Sequence, residues 1–222
     1  MPTAEVRRFG LLVFDWDGTL ADSTRLISRS LQQACLEIGV PVPDDASARH
    51  VIGLGLVDAL RYIAPALPRE RYSELADRYR DLYVAQENEI PLFDGVRELL
   101  DELAAAGVLL AVATGKSRAG LKRALDLQGV ADRFFTTRCA DEGPPKPHPE
   151  MLLHLMDRAG VEPGATLMIG DTSHDLELAR NAGAAAVAVA WGAHPADGLA
   201  QFGALATVHS IGELRDWLRA NA

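Results

Sequence analysis

Cysteine is scarce in this chain. Its 222 residues include two, Cys35 and Cys139, with no CxxC pair. That excludes a disulfide framework and a zinc site built on paired cysteines, and both thiols read as small buried residues. Lysine is nearly as rare, at three positions (Lys116, Lys122 and Lys146), with arginine supplying the other basic residues. Lysine is therefore not the default surface cation, and each lysine's position carries information. A basic excess is missing too. The formal net charge is −9, and nucleic-acid binders are more often basic, so no nucleic-acid partner is expected. A small anionic substrate is compatible with that charge, because a metal and a few placed cations reverse the potential locally. No apolar run spans a membrane, and Met1–Gly10 carries two arginines without a signal-peptide core. The expectation is a cytoplasmic protein with no membrane partner, a monomer or weak homodimer. Internal repeats and low-complexity tracts are absent.

Against those absences, 48% of the residues are hydrophobic and 24% charged. That balance suits one α/β domain, or a core with a smaller insertion. Leu11–Phe14 reads as a buried strand. Helical periodicity follows over Ser23–Ile38, with Leu26, Ile27, Leu31, Ala34 and Ile38 apolar and Asp22 or Ser23 as N-cap. Asp45–Ile52, Leu56–Ile63 and Arg69–Val84 also read as helices. Pro91-Leu-Phe-Asp94-Gly95 then punctuates the return. Helices over Val96–Ala106, Arg118–Leu127, Glu150–Ala159, Ser173–Ala182 and Ile211–Arg219 alternate with strands. Those strands are Val108–Ala113, Phe134–Thr137, Thr166–Ile169, Ala185–Val189 and Thr207-Val208. The alternation predicts an α/β fold with a doubly wound, parallel, Rossmann-like sheet. Residues 1–21 and 92–222 would form the core domain, and 22–91 an inserted all-helical domain.

The most informative stretch is Leu11-Leu-Val-Phe-Asp15-Trp-Asp17-Gly18-Thr19-Leu20. A strand that stops at two carboxylates puts them at the sheet's C-terminal edge, where open α/β folds bind ligands. Two acids this close repel unless a cation or a shared proton compensates. By chance the pattern arises in roughly one chain in a thousand. Other strand ends carry complementary groups: Thr114-Gly115-Lys116, Lys146 in a proline-stiffened loop, and Gly170-Asp171 with Asp175 a helical turn later. Oxygen ligands suit Mg²⁺, and a hydroxyl, a lysine and backbone N–H groups suit a phosphoryl group. An EF-hand reading fails, since Gly18 falls at loop position four and Leu26 at position twelve. A P-loop fails because Leu110 stands where its first glycine belongs.

Those four motifs, in that order, resemble the haloacid dehalogenase superfamily, and most closely its phosphoglycolate phosphatase-like branch. The likeness spans essentially the whole chain, and the helical insertion is similar to the family's cap. It implies a Mg²⁺-dependent phosphatase acting on a small phosphorylated metabolite, with phosphoglycolate the leading candidate. Asp15 would be the nucleophile and Asp17 the acid/base. Asp15, the Asp17 backbone carbonyl and Asp171 would hold the metal, supported by Asp175. Thr114, Gly115 and Lys146 would bind the phosphoryl group.

Plainer readings stand beside these. Thr114 could cap the following helix, Lys116 could be a solvated first-turn lysine, and Asp175 could serve the helix dipole. His148 and His174 receive no role. Arg49 and His50, beside Gly53-Leu-Gly55, are candidates for reading the leaving group. The tyrosines at 72, 79 and 83 read as an amphipathic helix rather than a nucleotide clamp. By the resemblance, Asp17 argues against dehalogenation, and the lysine-free insertion argues against phosphonate cleavage. A sugar phosphomutase and a non-catalytic phosphate-binding protein remain as alternatives.

Overall fold

The computed structural model describes residues 8–221. What is expected of the first seven residues therefore lies outside the described ones. Six strands form one parallel sheet: β1 (Leu11–Phe14), β2 (Leu109–Thr114), β3 (Thr136–Cys139), β4 (Thr166–Gly170), β5 (Ala185–Val189) and β6 (Thr207–Val208). Their order is β3-β2-β1-β4-β5-β6. The chain leaves β1 toward one side and returns at β4 on the other, which opens a crevice beyond the strands' carboxyl ends. Leu11 pairs with Leu109 on one side and Thr166 on the other. Such a central strand is covered on both faces, so it reads as an unbroken apolar run.

Ten helices are described: α1 (Thr24–Glu37), α2 (Asp45–His50), α3 (Leu56–Ile63), α4 (Tyr72–Val84), α5 (Val96–Ala105), α6 (Arg118–Gln128), α7 (Glu150–Ala159), α8 (Ser173–Asn181), α9 (Ala196–Leu199) and α10 (Ile211–Asn221). Strand periodicity assigns them to layers. Leu12 and Phe14 pack with Leu100, Leu121 and Leu214 of α5, α6 and α10. Leu11 and Val13 face the other way, onto Met151, Leu155 and Leu178 of α7 and α8. A third apolar cluster joins α1, α3 and α4 through Ile27, Leu31, Leu60 and Leu75. The chain enters and leaves this helical layer on adjacent segments. Asp22 N–H donates to Pro91 O and Phe93 N–H to Leu20 O, both at 3.0 Å.

Besides shifts of one to three residues at other element ends, such as α2 stopping at His50 and α4 starting at Tyr72, three details differ from the sequence expectation. Strand β3 starts two residues later than Phe134, because sheet pairing begins where Thr136 meets Ala111. Phe135 is half-exposed lead-in whose N–H reaches Leu110 O at 2.8 Å. Ser23 occupies the N-cap position of α1 without capping it. Its hydroxyl donates to Asp17 Oδ1 at 2.7 Å instead. The short helix α9 was not foreseen.

Candidate active site

The ladder continues one step past β1, where Asp15 N–H donates to Ile169 O at 2.9 Å. That fixes Asp15 at the mouth of the crevice with its side chain fully buried. Its Oδ1 accepts from Trp16 N–H at 2.7 Å and lies 3.0 Å from Lys146 Nζ. Its Oδ2 is buried without a hydrogen-bond partner. Lys146 Nζ also donates to Asp175 Oδ1 at 2.6 Å. Asp175 Oδ2 accepts from Thr172 N–H and Oγ1, closing a capping box at the start of α8. Asp175 therefore serves the start of α8 through Oδ2 and meets Lys146 through Oδ1. Asp171 accepts from Thr19 Oγ1 and Ala193 N–H, each at 2.7 Å. Gly18 has φ +82°, and a Cβ there would stand 2.2 Å from Asp171 Oδ2, so only glycine fits that turn.

Asp15, Asp171 and Asp175 present carboxylate oxygens within 4.8 Å of one another, all buried. Burial pushes the Asp15 pKa well up, Lys146 opposes that rise, and Asp175, Asp171 and Asp17 add to it. Asp171 is raised to about 7, by burial first and by Asp175 second. Burial works against charge on Lys146, but Asp15 and Asp175 outweigh it and hold the ammonium above its ordinary pKa. Three acids facing one ammonium leave surplus negative charge in a dry site. The all-oxygen donor set and the orphaned Asp15 Oδ2 fit a hard divalent cation. The Asp17 carboxylate stands outside this trio.

Asp17 is held differently. Its Oδ1 takes Ser23 Oγ at 2.7 Å and Lys116 Nζ at 3.0 Å. Lys116 also donates to Tyr83 OH at 2.9 Å, with the ammonium 4.6 Å from the centre of that ring. Lys116 is therefore a paired, largely buried lysine, not a solvated one. Ser117 caps α6 through Gly120 N–H, so Thr114 is not the cap. Thr114 is buried at the end of β2 and accepts from Lys116 N–H at 3.2 Å. Gly115 follows directly. A Cβ on it would meet Leu54 O at 2.5 Å and Gly53 O at 2.6 Å, so the helical layer's backbone sits on this loop.

A match to the haloacid dehalogenase-like hydrolase model runs over residues 12–189, from β1 to β5. The chain belongs to the haloacid dehalogenase-like hydrolase family. Similar proteins include the probable phosphatase IndB of Dickeya dadantii (strain 3937), 39% identical over 85% of this chain and 84% of that protein. A 5'-nucleotidase of Pseudomonas aeruginosa is 34% identical over 83% and 84%. A phosphoglycolate phosphatase of Vibrio vulnificus (strain CMCP6) is 32% identical over 82% and 84%. The chain is thus an enzyme of this hydrolase family, and no helix among the described residues is long and apolar enough to cross a membrane.

In this family member, sequence reasoning passed over one stretch. Trp191-Gly-Ala-His194 follows β5 and closes one wall of the site. Ala193 N–H holds Asp171, Trp191 Nε1 donates to Thr19 O at 3.2 Å, and His194 Nδ1 accepts from Ser173 N–H at 3.1 Å. The strand-end rule that singled out Asp15, Thr114 and Asp171 applies equally to β5 and would have found it. Arg49 and His50, the candidates for reading the leaving group, meet the loop after β5. Arg49 donates to Gly192 O at 2.6 Å and Ala193 O at 3.1 Å. In return His174 Nε2 and His194 Nε2 meet His50 O at 2.8 and 3.1 Å. Both imidazoles must carry hydrogen at Nε2 there, because a carbonyl oxygen only accepts. His148 is exposed and only receives Glu150 N–H at 3.2 Å.

Proposed function

We propose that this hydrolase is a phosphatase that cleaves a small-molecule phosphomonoester with Mg²⁺, through an aspartyl-phosphate on Asp15. The observation that carries the reading is the Lys146 bridge between Asp15 and Asp175 beside an Asp15 oxygen with no partner. A fully buried nucleophile with one oxygen oriented and one free is what in-line attack on phosphorus requires. Asp15 forms its oxygen–phosphorus bond as the ester's phosphorus–oxygen bond breaks, and Asp17 gives its proton to the departing alkoxide. Water then attacks phosphorus, Asp17 takes the water's proton, and the Asp15 bond is released. Thr114, the Gly115 N–H and Lys146 offset charge on the transferred group's oxygens. Mg²⁺ held by Asp15, Asp171 and the Asp17 backbone carbonyl, with Asp175 in support, would supply positive charge beside those oxygens.

In this reading residues 22–91 act as a cap over a core of 1–21 and 92–222, and the paired segments at Ala21–Ser23 and Leu92–Gly95 are its hinges. A cytoplasmic monomer or weak dimer acting on a phosphorylated metabolite fits the composition. Phosphoglycolate is the leading candidate by resemblance and by the name of the Vibrio relative. A nucleoside monophosphate is the second, by the name of the Pseudomonas relative. Phosphate release with Mg²⁺, with EDTA, and by Asp15→Asn tests the mechanism. Activity is expected in the first case alone, and metal-independent turnover or an active Asp15→Asn protein would overturn it. A mutase would instead yield an isomeric sugar phosphate.

A further inference from the structure

A cavity of about 760 Å³ opens from Asp17 into the helical layer, between α1, α3 and α4 on one side and the Gly115–Gly120 segment on the other. A larger hollow of about 910 Å³, by Arg25 and Arg29, touches none of the site residues. If Asp17 protonates the leaving oxygen, whatever that oxygen belongs to occupies the cavity at Asp17. The inference below rests on that part of the proposed mechanism.

Three properties define the occupant. The first is size. The cavity lies in the upper part of the range that ligands of drug size fill, roughly 300–1,000 Å³, and a two-carbon acid would leave most of it to water. The second is surface. Ile27, Leu31, Val51, Ile52, Tyr79 and Tyr83 line it. The two tyrosines stand one helical turn apart on α4 with ring centres 6.0 Å apart, giving an aromatic wall. The third is charge. Four cations reach the lining, and each already has a carboxylate. Lys116 holds Asp17, Arg123 holds Glu87, Arg61 holds Asp58 and Arg80 holds Asp77. The Glu87 and Asp17 carboxylates are themselves buried, so recruiting Arg123 or Lys116 would strand one of them. Arg61 and Arg80 sit in exposed i,i+3 pairs that hold them weakly, so the committed cations are Lys116 and Arg123, the ones paired with buried carboxylates.

We infer that the preferred substrate is a phosphomonoester of an uncharged, ring-bearing alcohol of nucleoside size, with the ring against Tyr79 and Tyr83. Lys116, the cation beside Asp17, is committed to that carboxylate, and glycolate's bulk fills little of the space. A planar base covers the tyrosines, and sugar hydroxyls suit the backbone carbonyls of the Gly53–Gly55 loop at the cavity's edge.

The test is a panel of kcat/KM values on the intact protein with Mg²⁺: the nucleoside 5'-monophosphates, phosphoglycolate and glucose 6-phosphate, with p-nitrophenyl phosphate as a general reporter. At least one nucleotide is expected to exceed phosphoglycolate by about fiftyfold, the effect of roughly 100 Å² of extra apolar burial. Tyr79→Leu should cut kcat/KM for that nucleotide by about tenfold, the worth of one base–aromatic stack, and narrow its lead over phosphoglycolate. If phosphoglycolate or glucose 6-phosphate matches every nucleotide while Asp15-dependent phosphate release persists, the substrate inference is wrong and the phosphatase reading stands. If Tyr79→Leu leaves the nucleotide's lead unchanged, the aromatic wall is not where the ring binds. If no substrate, including the reporter, yields phosphate, both readings fall together.

Discussion

Replacing Lys146 by methionine removes one cation from the middle of three buried acids. Lys146 is fully buried, as are its partners Asp15 and Asp175, at 3.0 and 2.6 Å. Methionine keeps most of the side-chain volume, so the change is largely one of charge. Removing one partner of a buried pair costs about 3–5 kcal/mol, because the remaining charge is stranded in a dry site. For a chain of this length each kcal/mol moves the melting temperature by roughly 2–4 °C, which gives a fall of about 6–20 °C. The deficit depends on pH with a definite sign. Asp15 and Asp171 already have raised pKa values in the folded protein, and losing Lys146 raises Asp15 further. An acid whose folded pKa is raised takes up protons on folding, so stability falls as pH rises through the window between the unfolded and folded values. The Lys146→Met deficit is therefore greatest above neutral pH and shrinks toward pH 5. Adding Asp175→Asn removes a repelling carboxylate and should recover about 1–3 kcal/mol. Calorimetric melts of the metal-free proteins at several pH values measure all three effects. A deficit under about 1 kcal/mol, the range of an exposed ion pair, would refute the reasoning, as would one that grows on acidification.

Other consequences are open to measurement. Lys116→Met should slow turnover by roughly tenfold to a hundredfold, part of the 10²–10⁴ that acid–base catalysis contributes, because Asp17 then keeps only Ser23; Tyr83→Phe should cost much less, since it leaves the Lys116–Asp17 bond in place. Gly115→Ala should lower kcat/KM sharply while the core stays folded by circular dichroism, because the new methyl would stand 2.5 Å from Leu54 O. Burial lowers the His174 pKa to about 4. A base whose folded pKa is depressed destabilises the fold as pH drops below its unfolded value, whereas the raised Asp15 and Asp171 act in the opposite sense over the same window; His174→Gln should therefore gain stability relative to the wild type as pH falls from 6.5 to 4, which paired melts measure.

Much of the fold was legible because its strong elements obey local rules. Leu56–Ile63, Glu150–Ala159 and Ala185–Val189 have the bounds their periodicity implies. Asp15, Thr114, Lys146, Asp171 and Asp175 were singled out because parallel strands bring their ends to one edge, and the structure assembles four of these five around Lys146 and Asp171, with Thr114 at the neighbouring strand end. What escaped was decided by contacts distant in sequence. Ser23 could cap a helix or bond Asp17, and only the turn at Gly18 settles which. Lys116 looks like a surface lysine until Tyr83 arrives from α4. Arg49 and His50 sit beside the Gly53–Gly55 loop in sequence but meet residues 192–194, 143 or more positions further along. Propensity and period contain no record of such pairings.

The seat between Gly115 and the Gly53–Gly55 loop is defined by the side chains it lacks. A Cβ at Gly53 would come 3.2 Å from Thr172 Oγ1 and 3.8 Å from Asp15 Oδ2, and Gly53 also has φ +93°. Backbone lies on backbone directly over Asp15. The helical layer is thus keyed to the sheet layer at a point where neither partner can carry a side chain, and it is keyed again by the Tyr83–Lys116, Glu87–Arg123 and Arg49–Gly192 bonds. A different helical insertion grafted between residues 21 and 92 would have to bring a bare, left-handed turn to Gly115 and partners for those groups. Exposed positions that touch none of them are the ones free to diverge.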